Sequence, residues 1–167
     1  MRRAIVPICL FTESGCQNVR VVRSSTQQTH IEAPVERVWE LVGDPNRHAG
    51  WWPDVIEAEA ADIKQGCRYR GVVKGLFGTT ERELLLEQLE ECREVSIYCE
   101  GTGITTRFVL TEAQGGTFVE GNFGIEPHSA GMKVFSALAG RRIMSSWLQS
   151  SLENLKATAE RAPAPQA

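Results

Sequence analysis

The spacing of apolar residues changes several times along the chain, and the order of those changes predicts an architecture. The stretch "NVRVVRSSTQQTHIEA" is β-prone and largely polar, the pattern of an edge strand over about residues 20 to 32. At "APVERVWELVGDP" the period becomes helical, with Pro34 suited to a first turn and Val38, Trp39, Leu41 and Val42 on one side. Gly43 should stop this helix. Asp44-Pro45 can open a second short one through about Ala49, which delivers the chain to Trp51-Trp52-Pro53.

Five strand-like runs follow, at 67 to 74, 79 to 89, 94 to 101, 104 to 112 and 117 to 126, preceded by a weaker one at "VIEAEAA". The links "GLFG", "EECRE", "GTG" and "AQGG" are short enough to join antiparallel neighbours, so the runs read as a meander. From about Ala130 to Glu160 the helical period returns. Val134, Phe135, Leu138, Ala139, Ile143, Trp147, Leu148, Leu152 and Leu155 form its broad apolar face. The closing "RAPAPQA" is proline-rich and reads as a disordered tail. The pattern predicts an α+β fold: a curved antiparallel sheet wrapped around a long C-terminal helix, with two short helices after the first strand. It divides the chain into an N-terminal extension (1–18), one domain (19–161) and a tail (162–167).

Composition narrows the function classes. The 167 residues carry a formal net charge of -3, with basic residues dispersed rather than massed, which argues against nucleic-acid binding. Five cysteines (Cys9, Cys16, Cys67, Cys92, Cys99) are odd in number and never spaced C-x-x-C, so neither a disulfide framework nor a zinc ribbon is indicated. Free thiols in a reducing cytosol are the expectation. In the opening "MRRAIVPICLFTESGC", two arginines precede a short apolar run, but Pro7 interrupts it and no A-x-A site follows. The first 18 residues therefore read as a dispensable extension. No run approaches the roughly 20 apolar residues of a membrane span.

The segment "HIEAPVERVWELVGDPNRHAGWWP" resembles the opening of the START-like, helix-grip superfamily, which includes polyketide cyclase/dehydrase and lipid-transport proteins. There a strand ending in I-x-A-P leads into x-x-V-W-x-L-x-x-D and then into a tryptophan-proline loop. The resemblance covers roughly residues 20 to 160. It implies a ligand cavity beneath the long helix, in a superfamily that hosts cyclases, carriers, receptors and chaperone regulators.

Period-2 alternation gives an inward set independent of that resemblance. Tyr69, Gly71 and Val73 face in on their strand, and Arg82, Leu84 and Leu86 on the next, where Glu81, Glu83 and Glu87 face out. Val95, Ile97 and Cys99 follow, then Ile104, Thr106, Phe108 and Leu110, then Val119, Gly121, Phe123 and Ile125. The small members leave space that either forms a cavity or is packed by Phe135 and Trp147. The candidate ligand-binding residues are Trp51, Trp52, Tyr69, Arg82, Leu84, Cys99, Thr106, Phe108, Phe123, Phe135 and Trp147.

Arg82 is the most informative of these, because a guanidinium keeps its charge on burial and demands a partner. That partner is a ligand carboxylate, phenolate or phosphate, or else Glu126 or Glu112 in an ion pair. One of Trp51 and Trp52 should pack beneath the short helix and the other lie near the pocket mouth, since neighbours in an extended segment point opposite ways. His30, His48 and His128 lack metal-binding spacing; His48 is expected to face solvent, or to act as a base at the pocket mouth. "SSWLQSS" is a helix segment rather than a G-x-S-x-G elbow, and Arg141 or Arg142 could close the pocket electrostatically.

No catalytic residue, metal or cofactor is assigned. The first reading is a binder or carrier of a small hydrophobic ligand such as a lipid, isoprenoid or aromatic polyketide. A cyclase/dehydrase using Arg82, Tyr69, Thr106 and His48 is the alternative, and an interaction module without a cavity is the third.

Overall fold

A computed structural model describes residues 23–75, 78–126 and 141–161 of the chain. The expected extension (1–18), the tail (162–167) and the stretch holding Val134, Phe135, Leu138, Ala139 and His128 lie outside the described residues.

Seven strands form one open antiparallel sheet: β1 (Arg23–Ile31), β2 (Val55–Glu59), β3 (Arg68–Gly75), β4 (Gly78–Glu90), β5 (Glu94–Cys99), β6 (Ile104–Ala113) and β7 (Gly116–Ile125). Their order in the sheet is β1-β7-β6-β5-β4-β3-β2, so the two strands nearest in sequence to the first helix occupy opposite edges. Register shifts at Val55/Glu57 and Leu86/Gln88 are bulges of the kind that bend a sheet. The edges are bridged by α1 (Val35–Val42) and a 3-10 helix (Pro45–Gly50), whose Asp44 side chain caps it by accepting from the Asn46 N–H. The second long helix, α2 (Arg141–Ala159), packs chiefly along β1 and β7.

Alternation sorts the faces as the sequence predicts. Tyr69, Leu84, Leu86, Val95, Ile97, Cys99, Phe108, Leu110, Val119, Phe123 and Ile125 are buried, while Arg68, Arg70, Glu81, Glu83 and Glu87 are exposed. On α2 the buried set is Met144, Leu148, Ser151, Leu152, Leu155 and Ala159. Ile143 departs from the expected apolar face: it stands 49% exposed, one position before Met144, which turns inward instead. Gly121 lets the helix approach, for a Cβ there would stand 2.8 Å from Leu148 Cδ1. The helix is also tied to the β1 edge by hydrogen bonds from Gln27 Nε2 to Ser145 Oγ (2.8 Å) and from Lys156 Nζ to the His30 carbonyl (2.7 Å).

Trp39 also departs from its expected place. Val35, Val38, Leu41 and Val42 fill the buried stripe of α1, and Trp39 is only half-buried, its ring laid against Gly43.

Candidate functional site

Between the concave face of the sheet, α2 and the loop after the 3-10 helix lies a cavity of about 270 Å³. Its walls are Leu84, Ile97, Ile104, Phe123 and Ile125 from the sheet and Met144 and Trp147 from the helix. Trp52, Pro53 and Val55 close the loop side, where Asp54 takes φ 66° to turn the chain into β2, a left-handed conformation that Asp tolerates better than most residues. Polar groups on the lining are few: Arg82, Thr102 and Thr106 from the sheet side, and Asp54 and Lys74 from the loop side.

Of the residues singled out in the sequence, Trp52, Arg82, Leu84, Cys99, Thr106, Phe123 and Trp147 line this cavity. Trp51, Tyr69 and Phe108 are buried beside it without lining it, and Phe135 lies outside the described residues. Ile97, Ile104 and Ile125 belong to the same inward alternation but were not carried into the candidate set. Met144 was signalled only by its helical spacing to Leu148. Pro53, Asp54 and Val55 had no periodic signal, being a turn.

The aromatic side chains form one continuous cluster. Trp147 lies 4.7 Å from Phe123 and 5.7 Å from Trp52, ring centre to ring centre. Trp52 in turn stacks on Trp51 at 5.6 Å and 7° from parallel, and both meet Phe108 edge-on. The expected division holds in part: Trp51 sends its indole N–H to the Leu41 carbonyl at 2.9 Å, beneath the helices, while Trp52 borders the cavity. The opposed directions do not hold. Trp51 has φ -141° and ψ -28°, which is not extended backbone, so the two rings lie on the same side.

His48 corrects the sequence reading outright. It is fully buried rather than solvent-facing, and it does not line the cavity. Its Nε2 stands 3.1 Å from the Val42 carbonyl, which can only accept, so Nε2 carries the proton and Nδ1 offers its lone pair to the Tyr69 hydroxyl at 3.5 Å. Burial drives the imidazole pKa down to about 4, against smaller opposing effects of the Val42 carbonyl and Asp44. The same burial pushes the Tyr69 phenol well above its usual range, with Cys67 and Cys99 adding to it. Both groups are therefore neutral at ordinary pH, and the pair acts as a polar plug under the tryptophans.

Arg82 points inward as alternation requires and is half-buried. Neither expected ion pair forms. Among the described residues no carboxylate lies within 4.0 Å of its guanidinium, so neither Glu126 nor Glu112 neutralises it. The outer face contrasts with this: Arg68 bridges Glu83 and Glu100, each at 2.8 Å, and Arg70 bridges Glu81 at 3.0 Å and Glu57 at 3.3 Å. Arg142 is exposed beside the loop. Among the described residues no cluster of histidine, cysteine and carboxylate side chains has the makings of a metal site, and no helix is long and apolar enough to cross a membrane.

An open antiparallel sheet curved around a C-terminal helix, with a hollow between them, defines a helix-grip protein of the α+β class. The chain belongs to the polyketide cyclase/dehydrase and lipid transport family, whose sequence model matches residues 22–160. Solved structures agree on the fold. A Bacillus halodurans protein, BH1534, superposes with a TM-score of 0.67 at 18% identity, covering 83% of this chain and 97% of its own. CalU16 from Micromonospora echinospora gives 0.58 at 23% identity, over 86% and 78%. The di-domain ARO/CYC protein BexL of the BE-7585A biosynthetic pathway gives 0.63 at 16% identity over 87% of this chain, which spans 52% of BexL. No curated protein sequence matches the chain.

Proposed function

We propose that this protein binds and carries a small hydrophobic molecule, a lipid, isoprenoid or aromatic polyketide, in the cavity between sheet and α2. The carrying observation is the hollow itself. About 270 Å³ opens here as a partly solvent-open cleft walled by isoleucine, leucine and aromatic side chains, an apolar concavity of the kind that holds small molecules. An apolar molecule entering it gains burial at roughly 25 cal/mol per Å². The family's description, which names lipid transport beside cyclisation, supports the reading. A cyclase needs a group that moves protons at the cavity, and His48, the histidine that the cyclase alternative would use there, does not line it. The cysteines described, Cys67, Cys92 and Cys99, are free thiols, which supports a cytosolic setting.

Native mass spectrometry of the protein purified from its own host tests this. A retained small molecule, displaced when the hollow is filled by Ile97→Trp, supports carriage. A protein that arrives empty and takes up no hydrophobic probe overturns it.

A further inference from the structure

We propose that the cavity selects hydrophobic molecules ending in a carboxylate or a comparable single-charge oxyanion, held by Arg82, and that Gly101 sets the guanidinium in place. This rests on the carrier reading above and deepens it.

The placement follows from strand register. On β4 and β5, Leu84 lies opposite Cys99. Two residues further along the same face, Arg82 comes opposite Gly101, just past the end of β5. A Cβ on Gly101 would stand 3.3 Å from Arg82 Nη1. The guanidinium therefore reaches into the space that a cross-strand side chain would otherwise fill, at the cavity's edge. On the neighbouring strand its partner is Gly71, again without a side chain, and Leu84 leans into that gap. Two glycines flank Arg82, so no neighbouring side chain on either strand can supply a counter-charge.

Charge bookkeeping on the sheet points the same way. Glu81 and Glu83, the sequence neighbours of Arg82, face the opposite side and are taken up by Arg70 and Arg68. Nearest to Arg82 on the lining is a hydroxyl instead: Thr102, beside Gly101, reaches the Cys99 carbonyl only at 3.5 Å, while Thr106 sits further along the hollow, level with Leu86 and Ile97. A half-buried guanidinium at an apolar hollow is a site for a planar anion, because two parallel N–H···O bonds match a carboxylate fork. The apolar remainder of such a molecule would run along Leu84, Ile97 and Phe123 toward Trp147.

The test titrates decanoate and methyl decanoate in parallel, following tryptophan emission, against the wild type and three variants checked for an intact thermal transition. Arg82→Leu removes the charge, with Arg82→Met as the alternative should the leucine variant fail to fold. Gly101→Ala displaces the guanidinium, and Lys74→Met removes the other cation beside the cavity. The expected result is that decanoate binds the wild type more tightly than its ester, and that Arg82→Leu weakens decanoate at least tenfold, about 1.4 kcal/mol, while leaving the ester unchanged. Gly101→Ala should weaken decanoate alone, by less, and Lys74→Met, at an exposed position on the lining, should weaken it far less than Arg82→Leu does. Equal affinity for acid and ester, unaltered by Arg82→Leu, overturns the inference and leaves the carrier reading standing. A loss with Lys74→Met as large as with Arg82→Leu also overturns it, since the preference is then a general field. Failure of both compounds to bind the wild type removes the carrier reading as well.

Discussion

Trp51 and Trp52 stack 5.6 Å apart and nearly parallel, yet only the Trp51 indole N–H has a hydrogen-bond partner. The Trp52 N–H is buried without one. A buried donor left unpaired costs about 1–3 kcal/mol, as does an acceptor orphaned by mutation. Trp51→Phe strips the Leu41 carbonyl of its partner and should destabilise by about 2 kcal/mol or more. Trp52→Phe removes ring volume but also removes the orphan, and should cost at least about 1 kcal/mol less. Urea unfolding of the two variants checks the order, and equal losses would refute it.

His48 makes stability depend on pH in a defined direction. Its folded pKa of about 4 lies below the ordinary imidazole value of 6.5, so the unfolded chain binds the extra proton first. The contribution is complete above the unfolded value and is lost as pH falls from there toward the folded value. At about 1.4 kcal/mol per unit, the loss approaches about 3 kcal/mol near the lower end. Carboxylates are still mostly ionised at about pH 5.5, so a comparison of wild type with His48→Gln between there and neutrality isolates the imidazole. The wild type should lose stability across that window more steeply than the variant; parallel slopes would mean that His48 is not buried neutral.

Gly121 is where α2 touches the sheet. With Leu148 Cδ1 standing 2.8 Å from where a Cβ would go, Gly121→Ala must push the helix or the leucine aside. Overpacking of this kind costs about 1–3 kcal/mol, and Gly121→Ala/Leu148→Val should recover part of it in a double-mutant cycle. No recovery would place the strain elsewhere.

Thr117 donates to the Ala33 carbonyl at 2.8 Å, fully buried, fastening β7 to the link between β1 and α1. Thr117→Val keeps the shape and orphans the carbonyl, so a loss of about 1–3 kcal/mol is expected by thermal or chemical denaturation.

Much of the cavity's sheet wall was legible from the sequence because alternation is a strict geometric code. Once Leu84 and Leu86 face in, Arg82 must too, and Glu81 and Glu83 must face away. The same code reaches no further than extended backbone. At Trp51 the chain leaves the β region, so period-2 reasoning wrongly opposed the two indoles; His48, read as a loop histidine, lies inside the 3-10 helix and turns inward with no periodic signal to show it. Trp39 and Ile143 failed for a different reason: in a helix, apolar character places a residue near the buried stripe but not on it, and the crowding of Val38 and Val42 or of Met144 and Leu148 decides which neighbour goes inside. That Arg82 has no carboxylate partner among the described residues could be suspected from its glutamate neighbours' alternation, but the Gly101 opening beneath it needed three-dimensional register.

The sheet order has a kinetic corollary. Arg23 in β1 pairs with Ile125 in β7, so the first strand finds its hydrogen-bonding neighbour only after every other strand has been made. Loop-closure entropy of that span must be overcome before the pairing rewards it, which places folding among the slower, topologically complex domains. During synthesis β1 therefore emerges as an unpaired edge, and its polar run of serine, threonine and glutamine is suited to waiting: it offers little apolar surface for another nascent chain to capture.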